Sequence, residues 1–143
     1  MNVDTLLPLM LKLSAVAQIA VAVLNLFLVR LLHWRPHIEQ LPLLPRQVFM
    51  VHLWFISLTL LIFGGVTWQY ADDMARGGNP LAAWLCGGIA LFWGIRTLLQ
   101  IMYYSSSHWR GKRAQTVAHV VLLGVYVSMT VAYAAAAARG GLT

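Results

Sequence analysis

Residues 81–104 read LAAWLCGGIALFWGIRTLLQIMYY, an apolar run interrupted by a single charge, Arg96. A bilayer core is crossed by about 20 helical residues, and this run is long enough to do so. Working outward, three more stretches have the same character, at about residues 6–32, 48–70 and 115–138. Little of the 143-residue chain is left over, and the connections are too short to hold a soluble domain. The sequence therefore predicts an all-α polytopic membrane protein. Its four-helix transmembrane bundle, with short loops, is expected to form one domain over residues 1–143.

Composition points the same way. Hydrophobic residues make up 60% and charged residues 10%, against roughly 45–50% and 25% in ordinary soluble domains. The four acids are Asp4, Glu39, Asp72 and Asp73, too few to cover a surface facing water. That excludes disordered chains, secreted disulfide scaffolds and cytosolic enzymes. Cys86 is the one cysteine, so an internal disulfide, a CxxC redox pair and a cysteine-rich metal site are excluded as well. The first span lacks a basic flank on its N-terminal side and is expected to be a retained helix rather than a cleaved leader.

Arg30, Arg35 and Arg46 flank the first connection, and Arg110, Lys112 and Arg113 lie in the third. On the other side, Lys12, Arg76 and Arg139 are offset by Asp4, Asp72 and Asp73. Basic loops stay in the cytoplasm, so the expected protein is integral and multi-pass with both termini outside, as in a bacterial inner membrane. The net charge of +6 then belongs mostly to one face, where it meets the lipid bilayer and its anionic headgroups. A nucleic-acid partner would need a basic surface with a fold of its own and is not expected.

Punctuation agrees with these boundaries. Pro36, Pro42 and Pro45 fall in the first connection, where Leu41-Pro42-Leu43-Leu44-Pro45 is expected to be extended. Gly77-Gly78-Asn79-Pro80 reads as a turn, with Pro80 at the first position of the next helix. Trp34, Trp68, Tyr70, Tyr103, Tyr104 and Trp109 lie near span ends, as an interfacial aromatic belt would.

Polar residues recur at helical spacing inside the spans. Ser14, Gln18 and Asn25 align in the first, His52, Thr59 and Tyr70 in the second, and Gln115, His119, Tyr126, Thr130 and Tyr133 in the fourth. Lipid cannot satisfy their hydrogen bonds, so these stripes are expected to turn inward. The third span has two faces. Ala83, Gly87, Ala90, Gly94 and Thr97 allow close helix approach, within the chain or in a homo- or hetero-oligomer. Phe92, Trp93, Arg96, Gln100 and Tyr103 form the other face.

Arg96 is the most demanding residue. It sits about two turns, on the order of 12 Å, inside Tyr104. A guanidinium at that depth marks a partner or a pathway unless it snorkels to the headgroups. No acid lies at matching depth, which leaves Gln100, a tyrosine, backbone carbonyls or an anionic ligand as its partner.

The five histidines fall on the basic side. His33, His37 and His108 lie in or beside the loops. His52 and His119 lie about one turn into spans that enter the membrane in the same direction. Four function classes follow. His52 and His119 are candidate axial ligands of haem b in an electron-transfer protein, with Arg96 and Gln100 holding a propionate or quinone and Tyr103 and Tyr126 beside it. The same pair with His33 is a candidate Zn or Cu site, although Pro36 stands between His33 and His37 and is expected to end their helix. Arg96, Gln100, Tyr103, His52 and His119 would otherwise form a pocket for a lipid or quinone headgroup, to bind it or act on it. The fourth class is a non-catalytic accessory subunit whose polar stripes only join helices. A proton-coupled carrier is disfavoured, because no Asp or Glu lies inside a span.

Overall fold

The computed structural model describes the backbone of residues 3–103 and 113–141 and the side chains of 4–102 and 116–141. All regular structure there is helical: α1 (Val3–Leu31), α2 (Arg35–Glu39), α3 (Leu43–Arg76), α4 (Pro80–Tyr103) and α5 (Arg113–Gly141). The four longer helices are long and apolar enough to cross a membrane. Their outer faces carry large apolar side chains such as Phe55, Trp84, Leu91 and Val117, while Ser14, Gln18, Ser57, Thr67 and Gln100 are buried. Large apolar side chains on the outside suit a hydrocarbon surround, while the interior joins these polar groups to apolar ones such as Leu11, Ile89 and Met129.

The helix ends follow from local chemistry. His33 has φ 53° and closes α1, with Trp34 N–H donating to Val29 O at 3.0 Å and His33 N–H to Arg30 O at 3.3 Å. This is the paired bonding of a left-handed helix stop, with histidine where glycine is usual. Pro36 therefore does not end the first helix. It lies in the first turn of the short α2, and His33 and His37 share no helix. The segment expected to be extended is also helical from Leu43 onward, Arg46 N–H donating to Pro42 O at 3.2 Å. Pro45 falls in the first turn, where a missing N–H costs nothing, and this outweighs its restriction of Leu44. The Gly77-Gly78 turn forms as expected, with φ 77° and 80°. Asn79 Oδ1 then accepts from Leu81 N–H at 3.0 Å and caps α4.

The chain packs as two compact units, residues 15–69 and residues 1–14 with 70–143. In the first, Gly64 of α3 lies so close to α1 that a Cβ there would stand 2.8 Å from Ile19 Cγ1 and 3.0 Å from the Ala15 carbonyl oxygen. The buried face of α3 runs Ser57, Leu60, Gly64, Thr67, Ala71, Met74. It is not the expected stripe of His52, Thr59 and Tyr70, of which His52 and Tyr70 are exposed. The reason is local. Thr59 Oγ1 donates to Phe55 O at 2.9 Å, and His52 Nδ1–H donates to Val48 O at 3.0 Å. Each satisfies its polar hydrogen on its own helix and needs no protein wall. α3 leaves helical geometry at Tyr70 (φ −116°, ψ 17°), where the second unit begins.

In that second unit α4 and α5 run antiparallel. Cβ atoms added at Gly140, Gly87 and Gly94 would meet Ala83 Cβ at 2.5 Å, Ala137 Cβ at 3.9 Å and Thr130 Cγ2 at 3.6 Å. The small-residue stripe of α4 is thus taken up by α5 of the same chain. One rim is drawn together by charge: Arg139 Nη2 to Asp4 Oδ1 at 2.8 Å, Arg139 Nη1 to Ala75 O at 3.2 Å, and Lys12 Nζ to Asp72 Oδ2 at 3.0 Å.

Gly140→Val and Gly64→Val should each lower the thermal midpoint in detergent, by an overpacking cost of about 1–3 kcal/mol. Gly88→Val, with nothing within 4 Å of its would-be Cβ, should leave it nearly unchanged. Circular dichroism melts of the three variants check this order, and equal midpoints would contradict the close approach.

Candidate functional site

Helical repeat puts Trp93, Arg96 and Gln100 on one side of α4, and that side meets α5 as the small-residue stripe does, so the two faces expected of this helix are neighbouring sectors of one contact. Trp93 is 1% exposed and stacks on Tyr126, ring centroids 5.0 Å apart with planes inclined by 30°. Phe92 meets Trp93 edge-on at 5.4 Å. One turn along, the Arg96 guanidinium carbon lies 5.2 Å from the centroid of the Tyr126 ring. Another turn on, Gln100 Nε2 lies 2.8 Å from His119 Nδ1. The expected stripe of α5 therefore does face inward: Tyr126 and Tyr133 are buried, and Thr130 and His119 are half-buried. Gln115 and Tyr103 lie outside the described side chains, and His108 and Tyr104 outside the described residues.

With the Gln100 amide nitrogen donating, His119 Nδ1 accepts and the ring proton sits on Nε2. Gln100 is 4% exposed, and its Oε1 has no hydrogen-bond partner among the described residues. A buried acceptor left without a donor costs about 1–3 kcal/mol. Its position beside a half-buried cation makes it the most conspicuous polar atom of the seam.

Charge accounting isolates Arg96 further. Asp4 pairs with Arg139, Glu39 with Arg35 at 3.1 Å, Asp72 with Lys12, and Asp73 with Arg76 at 3.4 Å. These are all four side-chain carboxylates of the sequence. Arg96 is left with the π face of Tyr126 as its described partner. The seam thus offers a cation over a ring and an orphaned acceptor one turn away.

The histidines fare differently. His52 stands exposed on α3, off that helix's buried face, with Nδ1–H on its own backbone. His33 is engaged through its backbone as a helix stop, and His37 lines a groove of about 350 Å³ with Trp34, Ile38, Leu41 and Phe49. Among the described residues no three His, Cys, Asp or Glu side chains come together to hold a metal ion. Sequence spacing placed Arg96 and Gln100 on one face of the third span and His119 and Tyr126 on one face of the fourth, but gave no sign that Trp93 would stack on Tyr126. The signal that would have found it is the antiparallel register that the small residues impose.

No family model, curated protein or solved structure matches the chain.

The cation and ring should be coupled. In a double-mutant cycle of Arg96→Met and Tyr126→Leu, measured by denaturant unfolding in mixed micelles, the coupling should be about 0.5–2 kcal/mol. A coupling of zero would show that the guanidinium does not rest on the ring.

Proposed function

We propose that this is an integral multi-pass membrane protein that holds the polar head of an amphiphilic ligand on the α4–α5 seam, at Arg96, Gln100, His119 and Tyr126. One observation carries the reading: a guanidinium within a helix of membrane-spanning length, while every side-chain carboxylate of the chain is engaged elsewhere. On insertion scales an arginine at a helix centre costs about 2.5–3.5 kcal/mol. A tyrosine face returns about 0.5–2 kcal/mol of that. An anionic or strongly polar head supplies the remainder, and the apolar outer faces of the helices suit its tail. The support is for binding, and the reading assigns no reaction.

The competing proposal keeps His52 and His119 as axial ligands of haem b. In its favour, the bond from His52 Nδ1–H to Val48 O leaves the exposed Nε2 with a lone pair, the arrangement common to metal-bound imidazoles. It requires His119 to surrender its Nε2 proton and so to break or reverse its bond with Gln100.

Native mass spectrometry from a mild detergent, with absorption spectra taken before and after dithionite, separates the two. The proposal predicts a retained amphiphile, lost at least about tenfold in Arg96→Gln, and no Soret band. A Soret band that disappears in His52→Ala or His119→Ala would overturn it in favour of haem. Protein stripped bare, with Arg96→Gln indistinguishable, would overturn both.

In the proposed orientation the basic connections face the cytoplasm and both termini lie outside. Alkaline phosphatase fused after Thr143 should then be active, whereas activity only for fusions within residues 105–112 would invert the topology.

A further inference from the structure

We infer that the head recognised at Arg96 and Gln100 is a polyol phosphate, an anionic phosphate ester that carries a free hydroxyl; this rests on the proposed binding function and names its ligand class. The argument is one of donors and acceptors. Arg96 has only N–H groups to offer, and its guanidinium carbon lies over the Tyr126 ring, 5.2 Å from the centroid. None of its N–H groups has a hydrogen-bond partner among the described residues, and a guanidinium fork is the group that grips phosphate oxygens two at a time. Gln100 makes the opposite demand. Its Nε2 is committed to His119 Nδ1 at 2.8 Å, which orients the amide. That leaves Oε1, buried and without a donor among the described residues. The site therefore asks one ligand for an anionic acceptor at one turn and a hydrogen-bond donor at the next, about 6 Å along the helix.

The common membrane heads divide on this test. A fatty carboxylate, or a phosphate monoester once ionised, brings acceptors only and leaves Gln100 Oε1 dry and unsatisfied. A quinone brings two acceptors and no charge. A phosphoethanolamine head brings an anion and N–H donors, and differs from the polyol only in setting a second cation about 6 Å from Arg96, which like-charge repulsion opposes. A phosphate ester of glycerol or another short polyol satisfies both positions, its anion on Arg96 and its hydroxyl donating to Oε1. The helix is of membrane-spanning length and its outer face is apolar, so the source is a phospholipid rather than the free head.

Protein in nanodiscs of phosphatidylcholine, doped in turn with phosphatidylglycerol, phosphatidic acid, phosphatidylethanolamine or ubiquinone, tests this by thermal midpoint and by the lipid retained. Glycerol 1-phosphate added to the undoped discs is the soluble arm. The expected result is retention of phosphatidylglycerol about tenfold above phosphatidic acid, with no effect of the soluble head. Gln100→Leu should erase that preference while both lipids still bind, and Arg96→Gln should weaken both. If Gln100→Leu fails to fold, Gln100→Glu serves instead: its carboxylate should pair with Arg96 and expel both anionic lipids. Preference for phosphatidic acid, phosphatidylethanolamine or ubiquinone would overturn the polyol assignment and leave the proposed binding function standing. No retention of any amphiphile would overturn both. A soluble head as effective as the lipid would keep the phosphate and hydroxyl chemistry but overturn the amphiphile.

Discussion

Two helices can share polar side chains in hydrocarbon only if their backbones come close enough for short groups to meet. Here α4 and α5 come that close because Ala83, Gly87 and Gly94 on one side face Gly140, Ala137 and Thr130 on the other. Each pair steps down α5 by about as much as it climbs α4, which fixes an antiparallel register. Everything polar on the seam depends on that register. It sets the Arg96 guanidinium over the Tyr126 ring, stacks Trp93 on that ring, and brings Gln100 within 2.8 Å of His119. Without the hydrophobic effect between helices in lipid, this packing and these hydrogen bonds are what remains to hold the pair together.

Charge is disposed as sparingly as the polar groups. Lys12, Arg76 and Arg139 neutralise Asp4, Asp72 and Asp73 at one rim, and Arg35 takes Glu39 on the short α2. Exposed pairs of this kind contribute little to stability in water. Their consequence here is that the sequence's net charge of +6 resides in the other six cations, Arg30, Arg46, Arg96, Arg110, Lys112 and Arg113. Five of these flank or lie in connections, where headgroups and water can receive them. Arg30, Arg46 and Arg113 lie in the terminal turns of their helices, whereas Arg96 is about two turns from the nearer end of α4, and it is also the one set beside an orphaned buried acceptor.

The spans were legible because length and apolarity dominate, and a run such as residues 81–104 admits no other fold. The turn at Gly77-Gly78-Asn79-Pro80 was legible for the same kind of reason, since positive φ, cap and fixed φ occur in order. Leu41–Pro45 was misread because prolines break helices in their interiors but not in a first turn. The inward face of α3 was misread because hydroxyls and imidazoles were taken to need neighbours, whereas Thr59 and His52 turn back on their own carbonyls. From His119 onward the stripe on α5 does turn inward, since the tyrosines Tyr126 and Tyr133 are too large to hide their hydroxyls within their own helix. What no spacing rule conveys is pairing across helices. The Gln100–His119 bond and the Trp93–Tyr126 stack join residues far apart in sequence, and only the packed register brings them together.

The most direct measurement is a solid-state NMR dipolar experiment between the ¹³C-labelled Arg96 guanidinium carbon and lipid ³¹P, on protein reconstituted in bilayers containing phosphatidylglycerol. A guanidinium gripping phosphate oxygens at hydrogen-bond length sets carbon and phosphorus on the order of 4 Å apart. The account predicts clear dephasing at that distance, retained when Arg30 and Arg46 are replaced by Gln and lost when Tyr126 is replaced by Leu. Absence of dephasing, with the Arg96 signal unchanged by lipid composition, would contradict it and leave the seam a purely structural contact.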